Sequence, residues 1–411
     1  MEKQRNILLA DMESFYASVE VSKDPSLKDK PVVVCGDPQR RHGIVLAATK
    51  EAKAFGISTG MPAYECTRLC PQVIFVKPHM NDYLDASLKI TEIFKTFSDK
   101  VMPYSIDEQF LDITGCEKLW GPPEETAKKI MQQIYNELDL KCRIGIGSNP
   151  LQAKMACDCF AKKTPSGMFK LSFENYTEHI WPLPVRKLFG VGERMEKNLF
   201  NIGIRTVGQL ASLSREDLKL RWGVNGEILW LNAHGIDYSK VDAGVHNEQK
   251  GVGHHFTLPR DYIKEEEIRI VLLEITEEVC RRARALNRVG EVVNVHCRGA
   301  DFNHPHGFSR QVKMPEPTAS TMDVYHYALK LFLKHWDKKP VRGLGITLSG
   351  LMKKEEYQIS LLEDKEKKIA LYRAMDNIRT RFGTNSIFRL SSLCRGSQLF
   401  NRAGKIGGHD A

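Results

Sequence analysis

Three acidic residues are flanked by the kind of sequence that turns carboxylates into chemistry. Asp11 follows the uncharged apolar run Ile7-Leu8-Leu9-Ala10, while Asp107 and Glu108 sit in Tyr104-Ser105-Ile106-Asp107-Glu108, between two apolar segments. A tight turn at the second stretch would bring its adjacent pair to the sheet edge where the first strand ends. Close carboxylates repel, and burial worsens the repulsion, so such a trio is tolerable around a cation. Hard oxygen donors suit magnesium, which keeps waters and substrate phosphates in its shell, and two such ions would clamp an in-line phosphoryl transfer. The plainer alternative is surface chemistry, because Asp-Glu pairs in turns are commonly solvated and an Asp after a strand commonly caps a helix.

The elements that must position these acids follow from hydrophobic periodicity. A buried strand over 7–10 leads into a helical stretch, Ser14 to Val21; short strands are predicted at 32–34 and 44–46, then a helix from Thr49 to Phe55 stopped by Gly56. An amphipathic helix at 83–97, strands at 101–104 and 109–113, a helix at 123–138 and a strand at 143–147 suit an antiparallel sheet backed by helices. Residues 170–240 read as short helices punctuated by glycines, a small helical domain. Beyond a polar linker at 237–250, a strand near 251–257, a helix with Ile268, Leu272, Ile275, Val279 and Leu286 in register, strands at 292–298 and 308–314, a helix at 321–336 and a strand at 341–349 make a βαββαβ module. The charged residues 351–411 are expected to be only partly ordered.

The 411 residues, 42% of them hydrophobic, suffice for several cores, and no uncharged run is long enough to span a membrane. The start of the chain lacks a signal peptide's apolar stretch, so an intracellular location is expected. Ten scattered cysteines suggest reduced thiols, although Cys66 with Cys70, or Cys157 with Cys159, offers a conceivable zinc pair. A formal net charge of +9 favours a polyanionic partner.

The stretches Asp11-Met12-Glu13-Ser14-Phe15-Tyr16-Ala17-Ser18-Val19-Glu20 and Tyr104-Ser105-Ile106-Asp107-Glu108 resemble the two catalytic motifs of Y-family translesion DNA polymerases. The similarity extends over about residues 5 to 350. It implies an α+β multidomain, right-hand polymerase: a palm at 1–18 and 78–166, small fingers at 19–77, a helical thumb at 167–236, the linker at 237–250, a βαββαβ little finger at 251–350 and a tail at 351–411. By that resemblance Asp11 and Asp107 bridge two magnesium ions, Glu108 holds the one that activates the primer 3′-hydroxyl, and the Met12 main-chain carbonyl completes the set. Phe15 and Tyr16 match the rings under the incoming sugar, with Tyr16 as the steric gate against a ribose 2′-hydroxyl. Lys50, Lys53 and either Lys162 or Lys163 are the triphosphate candidates. Lysines at 50 and 53 depart from the tyrosine and arginine of the polymerase IV pattern, and bring the chain closer to the catalytic subunit of bacterial polymerase V and its Gram-positive relatives.

Lys187-Leu188-Phe189-Gly190-Val191-Gly192, followed by Ile202-Gly203-Ile204, resembles a helix-hairpin-helix, in which Lys187, Gly190 and Gly192 would meet a DNA phosphate. Arg281, Arg282, Arg284 and Arg288 cluster at a helix end in the module that the family lays against duplex DNA. In Tyr357-Gln358-Ile359-Ser360-Leu361-Leu362, the residues Gln358, Ser360, Leu361 and Leu362 resemble the motif by which bacterial polymerases dock on the sliding clamp. The resemblance thus implies primer-template DNA, deoxynucleoside triphosphates and the clamp as partners of a monomeric, cytoplasmic, nucleoid-associated enzyme of damage bypass. A palm-type nucleotide cyclase and a non-catalytic, clamp-tethered DNA-binding protein are the competing readings.

Overall fold

A computed structural model of the chain describes residues 5–36, 43–242, 244, 249–301, 303–353, 365–403, 405–406 and 409–410. The chain divides into two compact units, Met1–Val245 and His246–Ala411.

The strands described in the first unit are β1 (Ile7–Met12), β2 (Val32–Cys35), β3 (Val45–Ala48), β4 (Ile74–Val76), β5 (Val101–Pro103), β6 (Glu108–Asp112), β7 (Cys142–Gly147) and β8 (Met168–Lys170). They form a five-stranded sheet of order β5-β6-β1-β7-β8 and a three-stranded one of order β3-β2-β4. β1 is buried throughout and hydrogen-bonded on both edges, as a continuous apolar run requires. The larger sheet departs from the expected antiparallel pattern at one edge, where β8 joins β7 in parallel. The Pro150–Cys159 helix between them carries the chain back across the sheet, the crossover that parallel neighbours need.

Helical spacing places the supporting helices. Met80–Phe97 buries Tyr83, Ile90, Ile93, Phe94 and Phe97, and Pro123–Leu138 buries Ala127, Ile130 and Ile134. The Pro150–Cys159 helix starts at an Asn149 cap whose side chain accepts from the Gln152 N–H at 2.9 Å. It presses so closely on β7 that only glycine fits beneath it: a Cβ on Gly145 would stand 2.0 Å from the Ala153 carbonyl oxygen, and one on Gly147 2.4 Å from the Ala153 nitrogen. Further along, the short helices Phe173–Ile180, Glu193–Asn201, Val207–Ala211, Arg215–Trp222 and Val224–Ala233 pack around Tyr176, Leu199, Leu210, Leu218 and Leu229.

The second unit is the expected βαββαβ module. Its strands β9 (Gly251–Tyr262), β10 (Arg288–Gly299), β11 (Gly307–Thr318) and β12 (Val341–Lys353) form an antiparallel sheet of order β11-β10-β12-β9. The helices Glu265–Ala285 and Thr321–His335 share one core with the inward residues Val293, Val295, Leu344, Ile346 and Leu348. The alternate residues, among them His255, His296, Arg298, Gly343 and Gly345, lie on the opposite face.

Of the tail, residues 351–353, 365–403, 405–406 and 409–410 are described. Lys365–Phe382 is a helix whose Asp376 takes both prongs of the Arg284 guanidinium at 2.6 and 2.9 Å. The buried Tyr372 hydroxyl accepts from the Met322 N–H at 3.1 Å, and Glu274 accepts from Ser397 Oγ at 2.6 Å and the Gln398 N–H at 2.9 Å. In the described part, Asp376 and Arg379 find partners on the module in Arg284 and Glu277.

Candidate active site

Register brings the acids together. In the β1–β6 ladder Asp11 stands opposite Glu108, and the Met12 N–H donates to the Asp107 carbonyl at 3.0 Å. Ser105 makes the turn that the sequence predicted: its hydroxyl accepts from the Glu108 N–H at 3.1 Å and donates to Asp107 Oδ1 at 2.5 Å, while the Tyr104 and Ser105 N–H groups return to the Glu108 carbonyl at 2.9 and 3.0 Å.

The electrostatics are those of a site built around positive charge. Burial, then a hydrogen bond shared with Glu108, pushes the Asp11 carboxyl up to about 7 against the pull of Lys162. Lys162 Nζ lies 2.7 Å from Asp11 Oδ2, and Lys154 Nζ lies 2.6 Å from Glu108 Oε1. Both ammonium groups also grip Asp158, at 2.8 and 3.0 Å respectively. Burial works against the Asp158 carboxylate, but Lys162 and Lys154 outweigh it and hold the group below its ordinary range.

Sequence reasoning missed Lys154 and Asp158. The signal was the four-residue spacing Lys154, Asp158, Lys162, running from a buried helix into the turn after it. The structure also separates the two tail-end lysines of that stretch: Lys162 meets Asp11, whereas Lys163 places its charge beside Cys159.

Among the described residues, ligand atoms of Asp11, Cys157 and Asp158 fall within 4.8 Å of one another. This is a poor alternative metal set. Burial, then the charge of Asp11, pushes the Cys157 thiol up to about 12, and a sulfur donor suits softer metals than magnesium. The paired carboxyls of Asp11 and Glu108, with Asp107 beside them, fit a hard divalent cation better. Because a carboxyl must lose its proton to bind metal, Mn2+ affinity should rise with pH and level off above about 7; a flat profile over that range would remove Asp11 from the ligand set.

The remaining nucleotide-site candidates are arranged around these acids. Phe15 is buried, and Tyr16 stacks on Tyr83 with ring centres 4.2 Å apart and planes at 13°. Tyr83 donates to Glu20 at 2.5 Å, and His79 Nδ1 lies 2.9 Å from the same oxygen, so the wall behind Tyr16 is pinned. Burial, then the nearby Asp107 charge, raises the Tyr16 phenol. Lys53 Nζ donates at 2.7 Å to Ser14, a non-glycine residue held at φ 46° where β1 turns into the next helix. Lys50 is exposed at the first turn of its helix.

The DNA-contact candidates divide. Lys187 is exposed, Gly190 adopts φ 92°, and Gly192 caps the helix Glu193–Asn201, an arrangement open to a phosphate. The four arginines of the second unit lie on its helical side instead. Arg281 is forked onto Glu278 at 2.9 and 2.8 Å, Arg282 donates to the Gly253 carbonyl, and Arg284 is bound to Asp376. Arg288 lines, with Arg281 and Arg284, a cavity of about 350 Å³ beside the tail helix. The first three are thus engaged within the second unit, Arg281 and Arg284 by carboxylates and Arg282 by a main-chain carbonyl. The clamp-motif residues Gln358, Ser360, Leu361 and Leu362 lie outside the described residues.

The impB/mucB/samB family matches residues 10–158, and the C-terminal domain of that family matches residues 249–361. "DNA polymerase IV 2" of Bacillus subtilis is 50% identical over 410 residues, covering 100% of both chains. "DNA polymerase IV" of Pelotomaculum thermopropionicum is 46% identical over 97% of this chain and 98% of its own. "Putative UV-damage repair protein UvrX" of Bacillus subtilis is 40% identical over 99% of this chain and 98% of its own. Among solved structures, a Y-family DNA polymerase chimera superposes with a TM-score of 0.71 at 24% identity, over 85% of this chain and 99% of that one. No helix among the described residues is long and apolar enough to cross a membrane. With the acids together at one end of two central strands and the relatives matched end to end, this chain belongs to the impB/mucB/samB family of Y-family DNA polymerases.

Proposed function

We propose that the chain is a low-fidelity, template-directed DNA polymerase that copies past damaged bases by two-metal-ion nucleotidyl transfer. The observation that carries this is the Asp11–Glu108 register pair with Asp107 beside it, three carboxylates gathered at one end of the β1–β6 ladder. Two magnesium ions held by Asp11, Asp107, Glu108 and the Met12 carbonyl would lower the pKa of the primer 3′-hydroxyl and offset charge on the departing pyrophosphate.

The chain's own residues do the rest. Tyr16, backed by Tyr83, would meet the sugar's C2′ edge, and Phe15 would support it from the core. Lys162, against Asp11, is the better placed of the two tail-end lysines to reach a triphosphate, and Lys53, against Ser14, and Lys50 would add to it from the fingers. Replacing Tyr16 with Ala should lower the deoxy-to-ribo preference on the order of 10- to 200-fold, the range over which pocket shape discriminates small groups. Competition between dNTP and rNTP in single-nucleotide insertion measures it, and an unchanged ratio removes the gate assignment.

On this reading the palm is 1–18 with 78–166, the fingers 19–77, the thumb 167–236, the linker 237–250 and the little finger 251–350. DNA phosphates would meet Lys187 and the glycines at 190 and 192, and the open sheet face of Arg298, His255 and His296 rather than the arginine cluster. Backbone contacts of this kind are indifferent to sequence, which suits copying any template. Residues 358–362 would tether a monomeric core to the sliding clamp in the cytoplasm, at the nucleoid. Replacing Gln358 and Leu361 with Ala should remove most clamp stimulation of extension while clamp-free synthesis stays unchanged; loss of both activities would contradict the tether. Lys50 and Lys53 support a branch near the polymerase V catalytic subunit and its Gram-positive relatives, although the full-length relatives include proteins named polymerase IV.

Primer extension on undamaged and lesion-bearing templates tests the function. Template-dependent products that pass the lesion are expected; duplex binding without extension would overturn it.

A further inference from the structure

The helix Pro150–Cys159 and the following turn Ala161–Lys163 place Lys154, Asp158 and Lys162 four residues apart along one edge of the acidic site. The two oxygens of Asp158 go to different lysines: Oδ2 lies 3.0 Å from Lys154 and Oδ1 lies 2.8 Å from Lys162. Each lysine then bridges to a different metal-ligand candidate, Lys154 to Glu108 at 2.6 Å and Lys162 to Asp11 at 2.7 Å. We propose that Asp158 is a positioning residue that receives the two ammonium groups when divalent ions take Glu108 and Asp11, and keeps both lysines beside the site for the nucleotide's phosphates. This inference rests on the two-metal reading above.

The physical case is one of competition. If Asp158 were neutral, the two lysines would have Glu108 and Asp11 as their remaining carboxylate partners, and an entering cation would have to break both pairs. The Lys154 side chain is only 11% exposed, so releasing it without a partner would leave a charge stranded in the interior. Asp158 removes that obstacle because it is already in contact with both lysines. The backbone that carries it cannot drift, since Gly145 and Gly147 seat the helix directly on β7. The same contact would keep Lys162 within reach of a triphosphate after it leaves Asp11.

The test is Mn2+ binding to the full-length protein, without nucleotide or DNA, followed by equilibrium dNTP binding to a primer-template complex with a chain-terminated 3′ end. Asp158→Asn should weaken Mn2+ binding about tenfold, as loss of an outer partner of a metal site does, and weaken dNTP binding in parallel. Asp158→Glu should recover most of both, and unchanged primer-template affinity certifies the fold. The lysine-free background Lys154→Met/Lys162→Met separates the possible roles. There, adding Asp158→Asn should change Mn2+ affinity less than about twofold, the near-silence expected once the shared partners are gone. A persistent tenfold loss in that background would make Asp158 a ligand or a through-space charge, and no loss in the native background would give it no role; either result overturns the proposal. Wild-type protein that binds Mn2+ no better than Asp107→Ala would instead sink the two-metal reading itself.

Discussion

Asp107→Ala and Glu108→Ala are each expected to cut template-directed extension by about 10²–10³-fold or more, the loss that follows removal of one preorganised electrostatic stabiliser. Primer-template affinity should stay within about twofold, because phosphate contacts elsewhere carry the binding. The two variants isolate chemistry from folding for a structural reason. Asp107 and Glu108 stand at the mouth of the β5–β6 turn, neither fully buried, and the turn's backbone hydrogen bonds to Ser105 and the Glu108 carbonyl do not need either carboxylate. Removing Glu108 takes one partner from Lys154 but leaves Asp158 at 3.0 Å, so no ammonium is stranded. Steady-state extension together with equilibrium binding on the same preparations is the measurement. Extension that survives within tenfold would mean that these acids do not hold the catalytic ions.

Gly145→Ala is expected to destabilise the fold by about 3 kcal/mol or more, the upper end of what overpacking a core costs. The added methyl would stand 2.0 Å from the Ala153 carbonyl oxygen, 2.4 Å from the Cys157 nitrogen and 2.9 Å from the Cys157 Cβ. Two of those neighbours are backbone atoms, so no side chain can rotate away and the whole Pro150–Cys159 helix must lift off β7. Synthesis should fall with stability, because this helix carries Lys154 and Asp158 to the acids. Gly56→Ala is the matched control: its φ of 88° makes alanine strained, at about 1–2 kcal/mol, but nothing lies within 4 Å of the new methyl. Urea unfolding of the two variants compares them. A Gly145→Ala cost no larger than that of Gly56→Ala would show that the helix does not depend on this close approach.

Much of the architecture was readable from local pattern. The apolar run before Asp11, the helical spacing of Ile268, Leu272, Ile275 and Val279, and the alternation in the strands of the second unit each depend on residues within a few positions of one another. The order of elements in the βαββαβ module followed from them. Motif resemblance supplied the pairing of Asp11 with Asp107 and Glu108, and the β1–β6 register then put Asp11 opposite Glu108. The parallel addition of β8 was not readable, because its three residues gain their place from the crossover helix rather than from any pattern of their own.

The residues alone determined which side chains carry charge, which runs are apolar enough to be central strands, and that three carboxylates stand at strand ends. Only the tertiary structure decided how those charges are balanced. Lys162 meets Asp11 across 151 positions of sequence and Lys154 meets Glu108 across 46, and Arg284 leaves the surface for Asp376, 92 residues away. Ion pairs of this kind reward any partner within a few ångströms, so their choice is made by strand register and by how closely a helix can approach a sheet. At Gly145 and Gly147 that approach is set by the missing Cβ atoms, which bring Lys154 and Asp158 to the acids.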